Sequence, residues 1–190
     1  MIRHLRSSTL AALAVTLVLV VAAAAQAPTQ APSKPLDVPY VPTHETIVEA
    51  MLEVAKVGKN DILYDLGSGD GRIVVTAAKK YGTRGTGIDL DPVRIAEANE
   101  NAKKAGVTHL VKFIQGDIFD ATFSDATVVT MYLLPDVNLK LRPKILALKP
   151  GTRIVSHNYD MGDWKPLRSL NINVSDTPHQ VYFWTVPARQ

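Results

Sequence analysis

Asp65-Leu66-Gly67-Ser68-Gly69-Asp70-Gly71 closes a short apolar run that begins Asp61-Ile62-Leu63-Tyr64. It is followed by a stretch of helical periodicity from Ile73 to Tyr81, which Gly82 ends. An apolar run of strand length that breaks on glycines and resumes with helical spacing reads as strand, tight turn, helix. Glycines at such a turn let the backbone bend sharply and approach a ligand closely. The spacing here is G-x-G-x-G. A dinucleotide fingerprint would require a glycine where Arg72 stands, and a phosphate-cradling loop would require a Lys-Ser/Thr pair that is absent. Taken alone, the turn suits plain strand-to-helix geometry as well as it suits a ligand site.

The same alternation extends in both directions. Upstream, Thr43 offers an N-cap, and Ile47, Val48, Met51, Leu52, Val54 and Ala55 share one helical face. Downstream, Thr86-Gly87-Ile88-Asp89 reads as a second strand. Asp91-Pro92 supplies the cap and first-turn proline of a helix to about Ala105, with Gly106 as its stop. Val111 to Gln115 is a third strand and Thr127 to Tyr132 a fourth. Pro143 is expected in the first turn of a helix reaching Leu148, and Thr152 to Ser156 is a fifth strand. Ile172 to Val174 and Val181 to Val186 follow without a long helix between them, which predicts a closing hairpin. Strands alternating with helices predict an α/β fold with a mainly parallel, buried sheet. At 190 residues the chain suits one such domain, 43–190, rather than two.

Open α/β sheets bind ligands at the carboxyl ends of their strands. Three of those ends carry a carboxylate: Asp65, Asp89 and Asp117. Asp89 stands where an acceptor takes both hydroxyls of a ribose, and Asp117 where one takes an exocyclic amine such as adenine N6. A single such aspartate is usually a cap or a solvated loop residue, whereas three together point to a nucleoside-like ligand.

At these residues the chain resembles the seven-strand class of S-adenosylmethionine (SAM) dependent methyltransferases, whose motif D/E-x-G-x-G-x-G is matched by Asp65, Gly67, Gly69 and Gly71. The resemblance spans roughly residues 37–166. It is sharper to the small protein-lysine methyltransferases related to the enzyme that modifies the mitochondrial ATP synthase c subunit. That closer likeness rests on Val38-Pro39-Tyr40-Val41-Pro42-Thr43, on the run from Asp65 to Val74, and on Pro150 to His157. It implies a Rossmann-like, doubly wound, seven-stranded sheet with SAM as cofactor. It further implies that Asp65, Gly67, Ser68 and Gly69 hold the methionine part, Asp89 the ribose and Asp117 the adenine amine. The N/D-P-P-Y/F tetrad of many amino-group methyltransferases is replaced by Met131-Tyr132-Leu133-Leu134-Pro135, so a protein lysine as acceptor rests on the closer likeness alone.

Methyl transfer from a sulfonium needs an uncharged, desolvated nucleophile held in line with the methyl group. Orientation can supply roughly 7 to 11 kcal/mol in favourable cases. Tyr132 is the first candidate for the acceptor site, because an aromatic face suits a sulfonium and an amine alike; the alternative is that it packs under the sheet. Tyr40 is a candidate to close over the cofactor, against a role as loop anchor. His157 is the candidate proton acceptor. Arg72 is expected to be solvated, with pairing to a ligand carboxylate as the alternative. Trp164 and Trp184 read as core or edge cover. His4, His44, His109 and His179 lack metal-ligand spacing, and no metal is expected.

Residues 1–27 differ from the rest. Arg3, His4 and Arg6 precede an uncharged run from Thr9 to Ala25 that ends in small residues, the order of an export signal. A spanning helix needs about 20 apolar residues, so an uncleaved membrane anchor is the alternative, and only then is a membrane expected as partner. Residues 28–42 hold five prolines and read as an extended linker. Removing Arg3 and Arg6 from the 21 basic residues leaves 19 against 18 acidic ones, so no nucleic-acid partner is expected. Zero cysteines exclude disulfides, thiolate metal sites and a cysteine nucleophile. The signal predicts an exported protein, in tension with a cofactor made in the cytosol. Small-molecule O- or N-methylation and a noncatalytic nucleoside-binding module are the alternative functions.

Overall fold

The computed structural model describes residue 35 and residues 38–189; the expected signal of 1–27 and nearly all of the linker before residue 38 lie outside the described residues. Its elements run α1 (Glu45–Val54), β1 (Ile62–Leu66), α2 (Arg72–Tyr81), β2 (Arg84–Asp89), α3 (Pro92–Lys104), β3 (Val111–Gln115), β4 (Val128–Met131), α4 (Pro135–Leu146), β5 (Arg153–His157), β6 (Arg168–Val174) and β7 (Thr177–Thr185). The strands form one sheet in the order β3-β2-β1-β4-β5-β7-β6. The first five are parallel, and β7 lies antiparallel between β5 and β6. The doubly wound, seven-stranded sheet and its antiparallel closing hairpin therefore match the expectation from sequence.

The two faces of the sheet follow the period of two along each strand. Leu63, Val128, Val155 and Val181 face α1 and α2, where Ile47, Val48, Met51 and Leu52 are at most 1% exposed. Leu66, Val129, Met131, Ile154 and Trp184 face the other side and meet Leu141 and Ile145 of α4. Burying a side chain of this size contributes about 1.5–3 kcal/mol. Trp184 is wholly buried, and its indole donates to the Trp164 carbonyl at 2.7 Å, which gives its polar edge a partner. Chain order reverses between β1, which leads to β2, and β4 on its other side. A crevice therefore opens at the carboxyl ends of these strands.

Three local expectations are corrected. The N-cap of α1 is His44, whose Nδ1 accepts from the Thr46 N–H at 3.3 Å; Thr43 is one residue too early and turns its hydroxyl to His157. Pro135, not Pro143, starts α4. Pro143 sits in the helix interior on its exposed side, where the Leu139 carbonyl left without an N–H donor can be solvated. Between β3 and β4 the connecting loop brings Phe119 and the buried Phe123 against the α4 side of the core. His157 is the last residue of β5 rather than the first after it, which places it on the same face as Val155. In the closing hairpin the turn falls on Ser175 and Asp176, with φ of 48° and 64°. Two consecutive left-handed residues make a turn that matches the twist of the strands.

Candidate active site

The crevice holds a cavity of about 190 Å³. Its floor is the set of strand ends carrying Asp65, Asp89 and Asp117, its far wall is Tyr132 with Leu133 and Leu134, and its near wall is the lead-in from Val38 to Thr43. Tyr40, Gly67, Ser68 and Gly69 also line it. The residues expected to hold a cofactor are thus brought together at one place.

The glycine corner owes its shape to two positions in particular. Gly67 and Gly69 have φ of 75° and 52°, in the left-handed region that side chains disfavour. A Cβ on Gly69 would lie 2.6 Å from Cε2 of Tyr40, and one on Gly67 would lie 2.7 Å from Cδ2 of Leu133. Asp89 fastens the corner: its Oδ2 accepts from the Gly69 N–H at 2.7 Å and its Oδ1 from the Asp91 N–H at 2.9 Å. Burial pushes its carboxyl above the ordinary range, and those N–H donors oppose the push. Asp117 accepts from the Phe119 N–H at 2.9 Å. The Ser68 hydroxyl is buried against Gly87 without a hydrogen-bond partner, so Ser68 meets the cavity otherwise than through that group.

Asp65 is the most perturbed carboxylate. It is 2% exposed, between Gly87 and Thr130 in the sheet, and accepts from Thr130 Oγ1 at 2.7 Å. Burial pushes it up to about 7, with the charges of Asp89 and Asp70 adding to the push. A cation beside it would restore its charge. Such a floor suits a ligand with positive groups.

Tyr132 stands just past β4, with Asn158 Nδ2 donating to its hydroxyl at 3.3 Å. Its ring lies 6.2 Å from that of Tyr159, nearly parallel, and Tyr159 lines the same end of the cavity. Tyr132 thus packs against its neighbours and also lines the cavity. His157 is placed elsewhere. It is 1% exposed and packs behind Tyr132 with the two rings tilted by 41° and their centres 3.9 Å apart, its ring nitrogens 3.2 Å from Thr43 Oγ1 and 2.9 Å from His179 Nδ1. It is absent from the cavity lining, and burial, with His179 beside it, lowers it to about 4. The structure thus sets His157 outside the cavity in which the expected proton acceptor would stand.

Arg72 lines the cavity with a third of its side chain exposed, and its guanidinium is engaged by the protein itself. Its Nε and one terminal nitrogen donate to Asp70 at 2.9 and 2.7 Å, and the other terminal nitrogen donates to the Thr43 carbonyl at 2.9 Å. Burial alone would raise Asp70, but Arg72 reverses this and holds its carboxyl below the usual range. Tyr40 sits on Gly69 with the Arg94 guanidinium 4.4 Å from its ring centre. Sequence reading missed Tyr159 and Arg94. Tyr159 follows Asn158 at φ 62°, a backbone reversal with no glycine to announce it, and Arg94 is one of several charges on α3.

Comparison with known proteins agrees with this geometry. Residues 65–168 match the family described as the ANTKMT methyltransferase domain. A protein-lysine N-methyltransferase of Saccharolobus islandicus (strain REY15A) is 46% identical over 151 residues, 78% of this chain and 94% of that protein. The adenine nucleotide translocase lysine N-methyltransferase of Mus musculus is 35% identical over 134 residues, and the match spans 70% of this chain but only 58% of that relative. Among solved structures, an RNA methyltransferase from Salinibacter ruber, in complex with S-adenosyl-L-homocysteine, is 53% identical. Its TM-score is 0.74, over 79% of this chain and 96% of that one.

Proposed function

Since the chain belongs to the ANTKMT methyltransferase family and is an S-adenosylmethionine-dependent methyltransferase, we propose that its methyl acceptor is the amine of a protein lysine. The observation that carries this reading is the acceptor end of the cavity, walled by Tyr132, Tyr159, Leu133 and Leu134 with no cationic side chain among the described residues facing it. Asp65, Asp70, Asp89, Asp91 and Asp117 line the cavity against Arg72 and Arg94. Both arginines are engaged, Arg72 with Asp70 and Arg94 with Asp91 and Glu97. With both arginines held by carboxylates the cavity offers little to the phosphate backbone of an RNA, while an aromatic acceptor wall suits an amine.

Bound SAM supplies an electrophilic methyl group on a sulfonium. Asp65 would meet the cationic end of the methionine part, Asp89 the ribose and Asp117 the adenine amine, while Tyr40 covers them. The acceptor end is walled by the aromatic and aliphatic side chains of Tyr132, Tyr159, Leu133 and Leu134. An amine seated there is desolvated and favoured in its neutral, nucleophilic form. The aromatic faces remain able to attract the positive charge that develops on nitrogen. No base is needed to position it, which fits the retreat of His157 behind Tyr132.

The test is incubation of the chain with tritiated SAM and, separately, with protein extract, RNA and a small-molecule fraction, followed by mass spectrometry of the labelled species. Methyl-lysine in a protein is the expected result. Label confined to RNA or to small molecules would refute the assignment. We also propose that residues 1–27 direct export; fractionation and sequencing of the mature N-terminus test that independently.

A further inference from the structure

The near wall of the cavity differs in kind from the others. Residues 38–43 carry no regular secondary structure, and within them only Thr43 is buried, whereas the floor and far wall hang from a parallel sheet. Beyond it the chain is committed to helix, because the His44 carbonyl accepts from Ile47 and Val48 at 2.9 and 3.0 Å. What holds 38–43 in place is a small set of polar contacts around two arginines.

We propose that Arg72 is a positioning residue that latches segment 38–43 as a strap across the cofactor, and that cofactor exchange requires this latch to open. The geometry is that of a three-way fork. Two guanidinium nitrogens are fixed on Asp70, inside the glycine-rich run itself, so the remaining one is aimed at the Thr43 carbonyl. A second hold adjoins the fork: the Tyr40 ring rests on Gly69 beneath Arg94, and its hydroxyl is hydrogen-bonded toward the Asp70–Arg72 pair. Opening the strap breaks these contacts and lifts Val38 from the edge of the core, while Tyr40 is 40% and Val41 54% exposed already. A wall tethered this way is the cheapest part of the site to open. The third tether, Thr43 Oγ1 to His157, joins the same strap to the residue packed behind Tyr132, so closure over the cofactor and the setting of the acceptor wall share one residue.

The test measures binding and release of tritiated S-adenosylhomocysteine by rapid filtration, with unlabelled ligand as chase, on the full chain. Lysine cannot grip Asp70 and Thr43 at once. In Arg72→Lys both the association and dissociation rates should rise roughly tenfold, the scale of one hydrogen bond to a charged group, so affinity changes far less than either rate. Tyr40→Ala, which removes the second hold together with a cover of the cofactor, should also raise both rates, dissociation more than association. Asp89→Asn should raise dissociation alone. A merely structural role would lower the melting temperature without speeding association. Both rates unchanged in Arg72→Lys and Tyr40→Ala, or dissociation alone raised, overturns the strap. Failure of the wild type to bind S-adenosylhomocysteine overturns the cofactor assignment itself and the strap with it.

Discussion

Replacing Asp65 with Asn should stabilise the ligand-free protein at alkaline pH and weaken its hold on SAM. The carboxyl is wholly buried and pushed up to about 7 from an ordinary value of 3.8. Between those values the folded state binds a proton that the unfolded state has released. Stability therefore falls as pH rises, by about 1.4 kcal/mol per unit, and levels off above pH 7. From pH 5.5 to 8.5 this one group should cost the wild type about 2 kcal/mol that the Asn variant does not lose. Asn keeps an oxygen for the Thr130 hydroxyl, and the offset from its buried amide is the same at both pH values, so it cancels. The assay is urea unfolding of ligand-free wild type and Asp65→Asn at pH 5.5 and 8.5, comparing the difference between them. A difference that does not move with pH would refute the claim that burial holds this carboxyl neutral. In the same variant SAM affinity should fall at least tenfold, as expected for loss of a charged partner, and wild-type affinity should rise with pH up to about 7.

Asp89→Ala should weaken SAM binding by roughly 100-fold or more in calorimetry, because it removes a buried charged acceptor and frees the Gly69 N–H that shapes the corner. NAD should bind neither form. Gly69→Ala should lower stability by about 1–2 kcal/mol for the left-handed φ alone, and should displace Tyr40, raising the dissociation constant for SAM. For His157 the pH dependence has the opposite sign to that of Asp65. Its folded value of about 4 lies below the ordinary 6.5, so the stability it contributes is present above 6.5 and lost as pH falls towards 4, by about 3 kcal/mol in all. In His157→Gln, unfolding monitored between pH 4.5 and 7 should show a shallower acid loss, and an unchanged slope would count against the burial argument.

The order of strands and helices, the glycine corner and the three strand-end aspartates could be read from the chain because each is a local statement. Period two or three-and-a-half sets which side is apolar, a glycine marks a forced turn, and a carboxylate just past an apolar run must face the strand tip. Pro92 and Gly82 likewise mark helix ends by their own covalent geometry. Pro143 misled for the opposite reason, since whether a proline starts a helix or rides its exposed face depends on what the neighbouring turn packs against. Partner choice was decided only by the fold. Arg72 has the same side chain whether solvated or forked between Asp70 and Thr43, and no spacing in sequence brings Thr43 beside a residue 114 positions away. The proton affinities of Asp65 and His157 belong to the same class. Each residue type has a fixed intrinsic value, and only burial among particular neighbours, a property of the assembled sheet, moves one up and the other down.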